Sequence, residues 1–129
     1  MGLSLKIVTP TSLAFEDTVD ELQVPGWEGQ YGVLPQHARM LTLTKPGVAI
    51  LHTGSSQQKA LLGRGFAEVG EDRVTLLVDS YEDVAQIDKT AASEELKAAL
   101  DELSSMALDD PALATAERRV ELAYARAEA

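Results

Sequence analysis

Pro25-Gly26-Trp27-Glu28-Gly29-Gln30-Tyr31-Gly32-Val33-Leu34-Pro35-Gln36-His37-Ala38-Arg39-Met40-Leu41 holds three glycines, two prolines, the only tryptophan and one of two histidines in seventeen positions. No helical or strand period of any length passes through so many breakers, so the segment is expected to be ordered and turn-rich. Pro25-Gly26 reads as a turn, with proline presetting φ and glycine supplying the left-handed conformation that a type II turn needs next. Gly29 and Gly32 bracket Gln30-Tyr31 like the corners of a second turn. Val33-Leu34 is a brief strand stopped by Pro35, which cannot donate to a ladder.

Short strands are expected on both sides of this loop. Leu3, Leu5 and Ile7 alternate with Ser4, Lys6 and Val8, the period of a half-buried strand that Pro10 ends. Leu13 to Glu16 reads as a second strand and Thr18 to Val24 as a third. After the loop come Met40 to Thr44 and Gly47 to Thr53; Gly54-Ser55-Ser56 marks a hairpin, and Gln57 to Leu62 returns from it. Arg64 to Gly70 and Arg73 to Ser80 pair around the polar turn Glu71-Asp72. Strands this short, with turn signals every eight to twelve residues, predict a β-sandwich or barrel.

From Asp88 the period lengthens from two to 3.6. Ala92, Leu96, Ala99, Leu100, Leu103 and Ala107 make one apolar stripe on a helix capped by Asp88 or Thr90. Asp110-Pro111 reads as an N-cap followed by proline at the first helical position, and Leu113, Ala116, Val120, Ala123 and Ala127 form a second stripe. The prediction is an α+β chain: an N-terminal β-sandwich of about ten short strands over 1–86, then an antiparallel two-helix hairpin over 87–129. Alanine-rich stripes bury little area, and helices of this length are marginal alone. The hairpin is therefore either a movable element or a permanently packed appendage.

Twenty-one acidic against eleven basic residues give a formal charge of −10, which argues against nucleic acid or an anionic bilayer as direct partners. Cysteine is absent, which removes disulfide and thiolate chemistry. No apolar run approaches the ~20 residues of a transmembrane helix, and the N-terminus does not read as a signal peptide. The chain alone is expected to be soluble and cytoplasmic, with no direct membrane insertion.

No catalytic constellation is legible. His37 and His52 have no acidic partner in a triad pattern, and they fail the spacing of a metal site. His37 reads as a turn or interface residue held by backbone. Gly63-Arg64-Gly65 lacks the third glycine of a dinucleotide loop and reads as a bend before a strand. Arg119 and Arg126 lie two helical turns apart and share a face with each other, while Arg118 stands beside them. They either engage an acidic partner or phosphate, or complement the helix dipole.

Several segments in order resemble the epsilon subunit of F-type rotary ATP synthases, of the bacterial type. They are Lys6-Ile7-Val8-Thr9-Pro10, Pro25-Gly26, Glu28-Gly29, Gly32-Val33-Leu34-Pro35, His37-Ala38, Lys45-Pro46-Gly47, Gly65-Phe66-Ala67-Glu68-Val69, Val74-Thr75-Leu76-Leu77 and Ile87-Asp88. Gln36 stands where the family usually has glycine, Arg39-Met40 replaces a common Pro-Leu, and Arg64 sits where a Gly-Gly pair is usual. The resemblance implies a non-catalytic rotor subunit that links the gamma subunit to the c-ring and so couples proton translocation to ATP synthesis. It implies a peripheral place on the cytoplasmic face of the bacterial inner membrane.

By position it assigns Glu28, Gln30 and Tyr31 to the c-ring side and His37 and Thr42 to the gamma side. It implies a hairpin that inhibits ATP hydrolysis when extended into the catalytic alpha/beta head, with Arg118, Arg119 and Arg126 meeting acidic surfaces there. In some members ATP holds the hairpin down. Ile87, Asp88, Arg119 and Arg126 match that site, but Ala91 replaces its arginine, so ATP is expected to bind weakly or not at all and no cofactor is expected. The other reading of the residues is a free-standing β-sandwich that binds a small ligand or peptide on Trp27 and Tyr31.

Overall fold

The computed structural model describes residues 2–129; residue 1 of the predicted 1–86 unit lies outside the described residues. Ten strands come first: β1 (Leu3–Thr9), β2 (Ser12–Val19), β3 (Glu21–Gly26), β4 (Gly29–Val33), β5 (Met40–Thr44), β6 (Gly47–Thr53), β7 (Ser56–Leu62), β8 (Gly65–Val69), β9 (Arg73–Val78) and β10 (Tyr81–Asp83). A 3-10 turn, Val84–Gln86, leads to α1 (Lys89–Ser104) and α2 (Leu113–Glu128). Neighbouring strands run β10-β7-β6-β3-β5-β8-β9-β1-β2, with β4 paired to β3. Every pairing is antiparallel except β1 with β9, where the first strand lies beside the last long one.

The two faces of the sandwich meet over a core that the period-2 alternation supplies. Leu3, Leu5 and Ile7 of β1 pack with Val74 and Leu76 of β9, Leu22 and Val24 of β3, Leu51 of β6 and Leu62 of β7, all essentially closed to solvent. Each such side chain contributes roughly 1.5–3 kcal/mol by leaving water. Where β8 runs past β9, a Cβ on Gly65 would collide with the Leu77 carbonyl oxygen and Val78 Cα, so glycine there is what lets the strands close.

The opening loop is more regular than its composition predicts. Pro25-Gly26 is not a turn but the end of β3, and Gly29 to Val33 is a strand rather than a second turn. Gly26 faces Gly29 and Pro25 faces Gln30, so the turn is Trp27-Glu28, with Gly29 at φ 120°. Pro25 fits in the ladder because its nitrogen is not called on: its carbonyl accepts from Lys45 N at 3.1 Å. The second strand also runs further than expected, to Val19 rather than Glu16, because β1 pairs with it along its whole length, so Thr18 belongs to it and the third strand starts at Glu21. The break falls instead at Asp20, whose amide donates to the His52 carbonyl.

Of the predicted stripes, Ala92 and Ala99 of α1 and Ala116 and Ala123 of α2 are buried. Leu100, by contrast, is exposed, Ala107 lies exposed beyond the end of α1, Ala127 is half-buried, and Ala125 is buried without having been predicted. Asp88 caps α1, its Oδ1 accepting from Thr90 N at 3.0 Å and Ala91 N at 3.2 Å. The second helix starts three residues past the expected Asp110 cap. Asp110 Oδ1 accepts from Ala112 N at 2.8 Å, which stabilises a turn through Pro111, and no side chain caps α2 itself.

Candidate partner interfaces

The outer face of the β5-β8-β9-β1-β2 sheet carries an apolar row beside the polar row Glu68, Thr75, Lys6 and Glu16. Register places Leu43 opposite Phe66, Phe66 opposite Leu77, Leu77 opposite Val8 and Val8 opposite Leu13, one row across five strands. Leu43, Phe66, Leu77 and Leu13 are about half exposed and Leu41, on the same face of β5, is 69% exposed. Lys6 and Glu16 pair beside the row at 3.5 Å. A contiguous exposed apolar row with charge at its margin marks an interaction surface. No sequence expectation made an interaction surface of these residues, because only the fold aligns them in one row across five strands.

Glu28 and Gln30 stand exposed at the β3–β4 hairpin tip, and Tyr31 is half-buried beside them. Its ring lies against Gly26, and its hydroxyl is buried without a hydrogen-bond partner, so desolvation raises its pKa above the ordinary tyrosine range. Thr42 shares a hollow of about 620 Å³ with Glu28, Gln30 and Tyr31, and Leu41 and Leu43 line it as well. The geometry thus groups Thr42 with the hairpin tip and leaves His37 apart, where its Nδ1 lies 2.7 Å from the Ala38 carbonyl. Gln36, next to it, has φ 64°, the left-handed region that explains why glycine suits this position. Its amide donates to Asp72 Oδ1 at 3.0 Å, which holds the loop.

The hairpin arginines are engaged within the chain. Arg119 donates through Nε to Glu95 at 2.9 Å and through Nη1 to Glu102 at 2.5 Å, bridging α2 to two turns of α1. Arg126 donates through Nε and Nη2 to both oxygens of Glu82 on β10, at 2.9 and 3.2 Å. These bonds favour the charged guanidinium in both; for Arg126, Asp88 and Glu95 add their fields. Arg118 is exposed and makes no ion pair among the described residues; it lines a small hollow with Asp79 and Arg64. Asp88 lies close enough to Arg126 to act on it through its field, but Asp88 serves the helix cap and Arg126 holds Glu82.

Arg64 had stood out in the sequence as a departure from the family and as part of the Gly63-Arg64-Gly65 bend, with no partner named for it. Its Nε and Nη2 donate to both oxygens of Glu121 on α2 at 2.9 and 2.8 Å, and its guanidinium lies 5.2 Å from the Trp27 ring centroid. One face of the tryptophan is thus covered. No group of three or more metal-ligating side chains occurs among the described residues, and no described helix is long and apolar enough to cross a membrane.

Residues 2–84 match the family described as the ATP synthase delta/epsilon chain, beta-sandwich domain. The chain is 38% identical to the ATP synthase epsilon chain of Prochlorococcus marinus over 134 aligned positions, covering 100% of this chain and 98% of that one. It is 38% identical to the epsilon chain of Rhodospirillum rubrum over 99 positions, 76% of this chain and 74% of that one. Among solved structures, a chain in the Euglena gracilis mitochondrial ATP synthase (OSCP, F1 and c-ring) superposes with a TM-score of 0.83 at 19% identity, covering 96% of this chain and 78% of that chain. A chain from the Tetrahymena thermophila mitochondrial central stalk and c-ring gives 0.63 at 16% identity, covering 98% and 97%. At such identities these likenesses show the fold alone.

Proposed function

The chain belongs to the epsilon-chain family of ATP synthases, and we propose from this premise how its surfaces serve that complex. It is a non-catalytic rotor subunit of the central stalk. The apolar row Leu43–Phe66–Leu77–Val8–Leu13 docks the gamma subunit, and this observation carries the reading: five adjacent strands expose apolar side chains that a partner must cover. His37 lies on the connection from β4 to that face. The hairpin tip, with Glu28, Gln30 and Tyr31, reaches for the polar loops of the c-ring, and Thr42 supports that tip. The complex is membrane-associated; this subunit sits on its cytoplasmic face and holds no membrane span of its own among the described residues.

The hairpin regulates hydrolysis by leaving the sandwich and carrying Arg118, Arg119 and Arg126 to acidic surfaces of the alpha/beta head. Nucleotide does not govern it. Ala91 offers no bond to phosphate or base, and a missing charge-assisted hydrogen bond lowers affinity about tenfold to a hundredfold. Arg119 and Arg126 are held by carboxylates in the docked form. The residues thus do not fit a tight ATP site, and calorimetric titration giving micromolar affinity would contradict this. A free-standing module using Trp27 as a platform is less well supported, since Arg64 covers one face of its ring.

The test is ATPase activity of the assembled head with the full chain and with a truncation after Ile87. Higher activity with the truncated chain is expected. Equal activities would remove the inhibitory role of the hairpin and leave the rotor role intact.

A further inference from the structure

We propose that Arg64–Glu121 and Arg126–Glu82 form a two-point ionic clasp that sets how tightly the hairpin is held, released by competing charge rather than by nucleotide. The inference deepens the regulatory reading above and takes its biological meaning from it.

The apolar contact between hairpin and sandwich is thin. The buried residues of the helices are alanines. Between the layers an open groove of about 690 Å³ remains, where Leu96, Leu100, Val120 and Tyr124 of the hairpin face Pro25 and Trp27 without closing on them. Leu100 is 47% exposed, Trp27 49% and Tyr124 57%. The larger side chains of this seam therefore supply little docking energy.

Two bidentate pairs bridge the layers instead. Arg64 enters from the bend between β7 and β8, braced on Trp27, and takes both oxygens of Glu121. Glu82 on β10 receives Arg126. Glu121 and Arg126 are five positions apart on α2, about 7.5 Å along its axis. The polarity alternates: the helix presents the acid at one point and the base at the other. Sliding α2 from one point to the other sets acid against acid or base against base, so the pairs fix register as well as proximity. All four side chains keep roughly a quarter to two-fifths of their surface in water. Pairs this exposed contribute modestly and are screened by salt.

The chain has no cysteine, so Ser55→Cys and Leu108→Cys, in the β6–β7 turn and beyond α1, place two spin labels uniquely on the full-length protein. Distance distributions then count docked and released hairpins. Arg64→Glu and Glu121→Arg are each expected to raise the released-to-docked ratio about fivefold. The double reversal R64E/E121R restores docking. Arg64→Lys, which keeps the charge without the planar fork, behaves more like the reversal than like the native chain. Raising salt from about 0.01 M to about 1 M, which shortens the screening length from about 30 Å to about 3 Å, releases the native hairpin and has less effect on the single reversals. Single reversals that leave the distribution unchanged, or a double reversal that recovers nothing, would overturn the clasp. Docking that responds while hydrolysis by the assembled head does not would support the clasp and remove the regulatory reading.

Discussion

Tyr31 buries its hydroxyl with no partner among the described residues, a cost that a phenylalanine of the same shape avoids. Tyr31→Phe is expected to leave stability unchanged or raise it by up to about 1 kcal/mol in urea denaturation. The sign with pH follows from the raised pKa. The folded state disfavours tyrosinate, so this site's contribution is fully present below the ordinary tyrosine pKa and is lost as pH rises above it. Tyr31→Phe should therefore flatten the alkaline loss of stability. Gly65→Ala has the opposite character, because the added Cβ meets the Leu77 backbone rather than a movable side chain. It should lower stability by about 1–3 kcal/mol. Gln36 shows what a single residue disclosed in advance: its mismatch with the family's glycine coincides with a left-handed backbone, but nothing local announced Asp72 as the acceptor of its amide.

The elements most legible in the sequence were those with one face buried, where a slip of one residue would turn the whole apolar set outward. Leu3, Leu5 and Ile7 marked β1 in the register observed, and the stretch Arg73 to Ser80 marked β9 to within two residues. The β3–β4 hairpin was misread because proline and glycine carry the same turn signal wherever they stand, and long-range pairing decided that Pro25 and Gly29 to Val33 extend the sheet. At the start of α2 the Asp-Pro cap pattern was real but closed a turn instead of the helix. The ion pairs were the least legible, since Arg64 and Glu121 are 57 positions apart and only the fold brings them together. Asp88→Ala should cost about 1 kcal/mol by removing the α1 cap, seen as increased amide exchange at Thr90 and Ala91. The sandwich strands should keep their protection.

At the scale of the whole molecule, an acidic chain of charge −10 exposes an apolar row on one sheet face and fastens its helices to the sandwich with four charged side chains. The first needs a partner, and the second yields to changes in surrounding charge. No residue of the row lines the groove under the hairpin, so a change to the sheet face should leave the hairpin docked. The most direct test is the affinity of the isolated gamma subunit for the full chain and for Phe66→Glu, with circular dichroism to show that both are folded. The account predicts that a charge in the centre of the row weakens gamma binding at least about thirtyfold while the labelled hairpin keeps its docked distance. Unchanged gamma affinity in a folded Phe66→Glu chain would contradict it and move the gamma interface elsewhere on the sandwich.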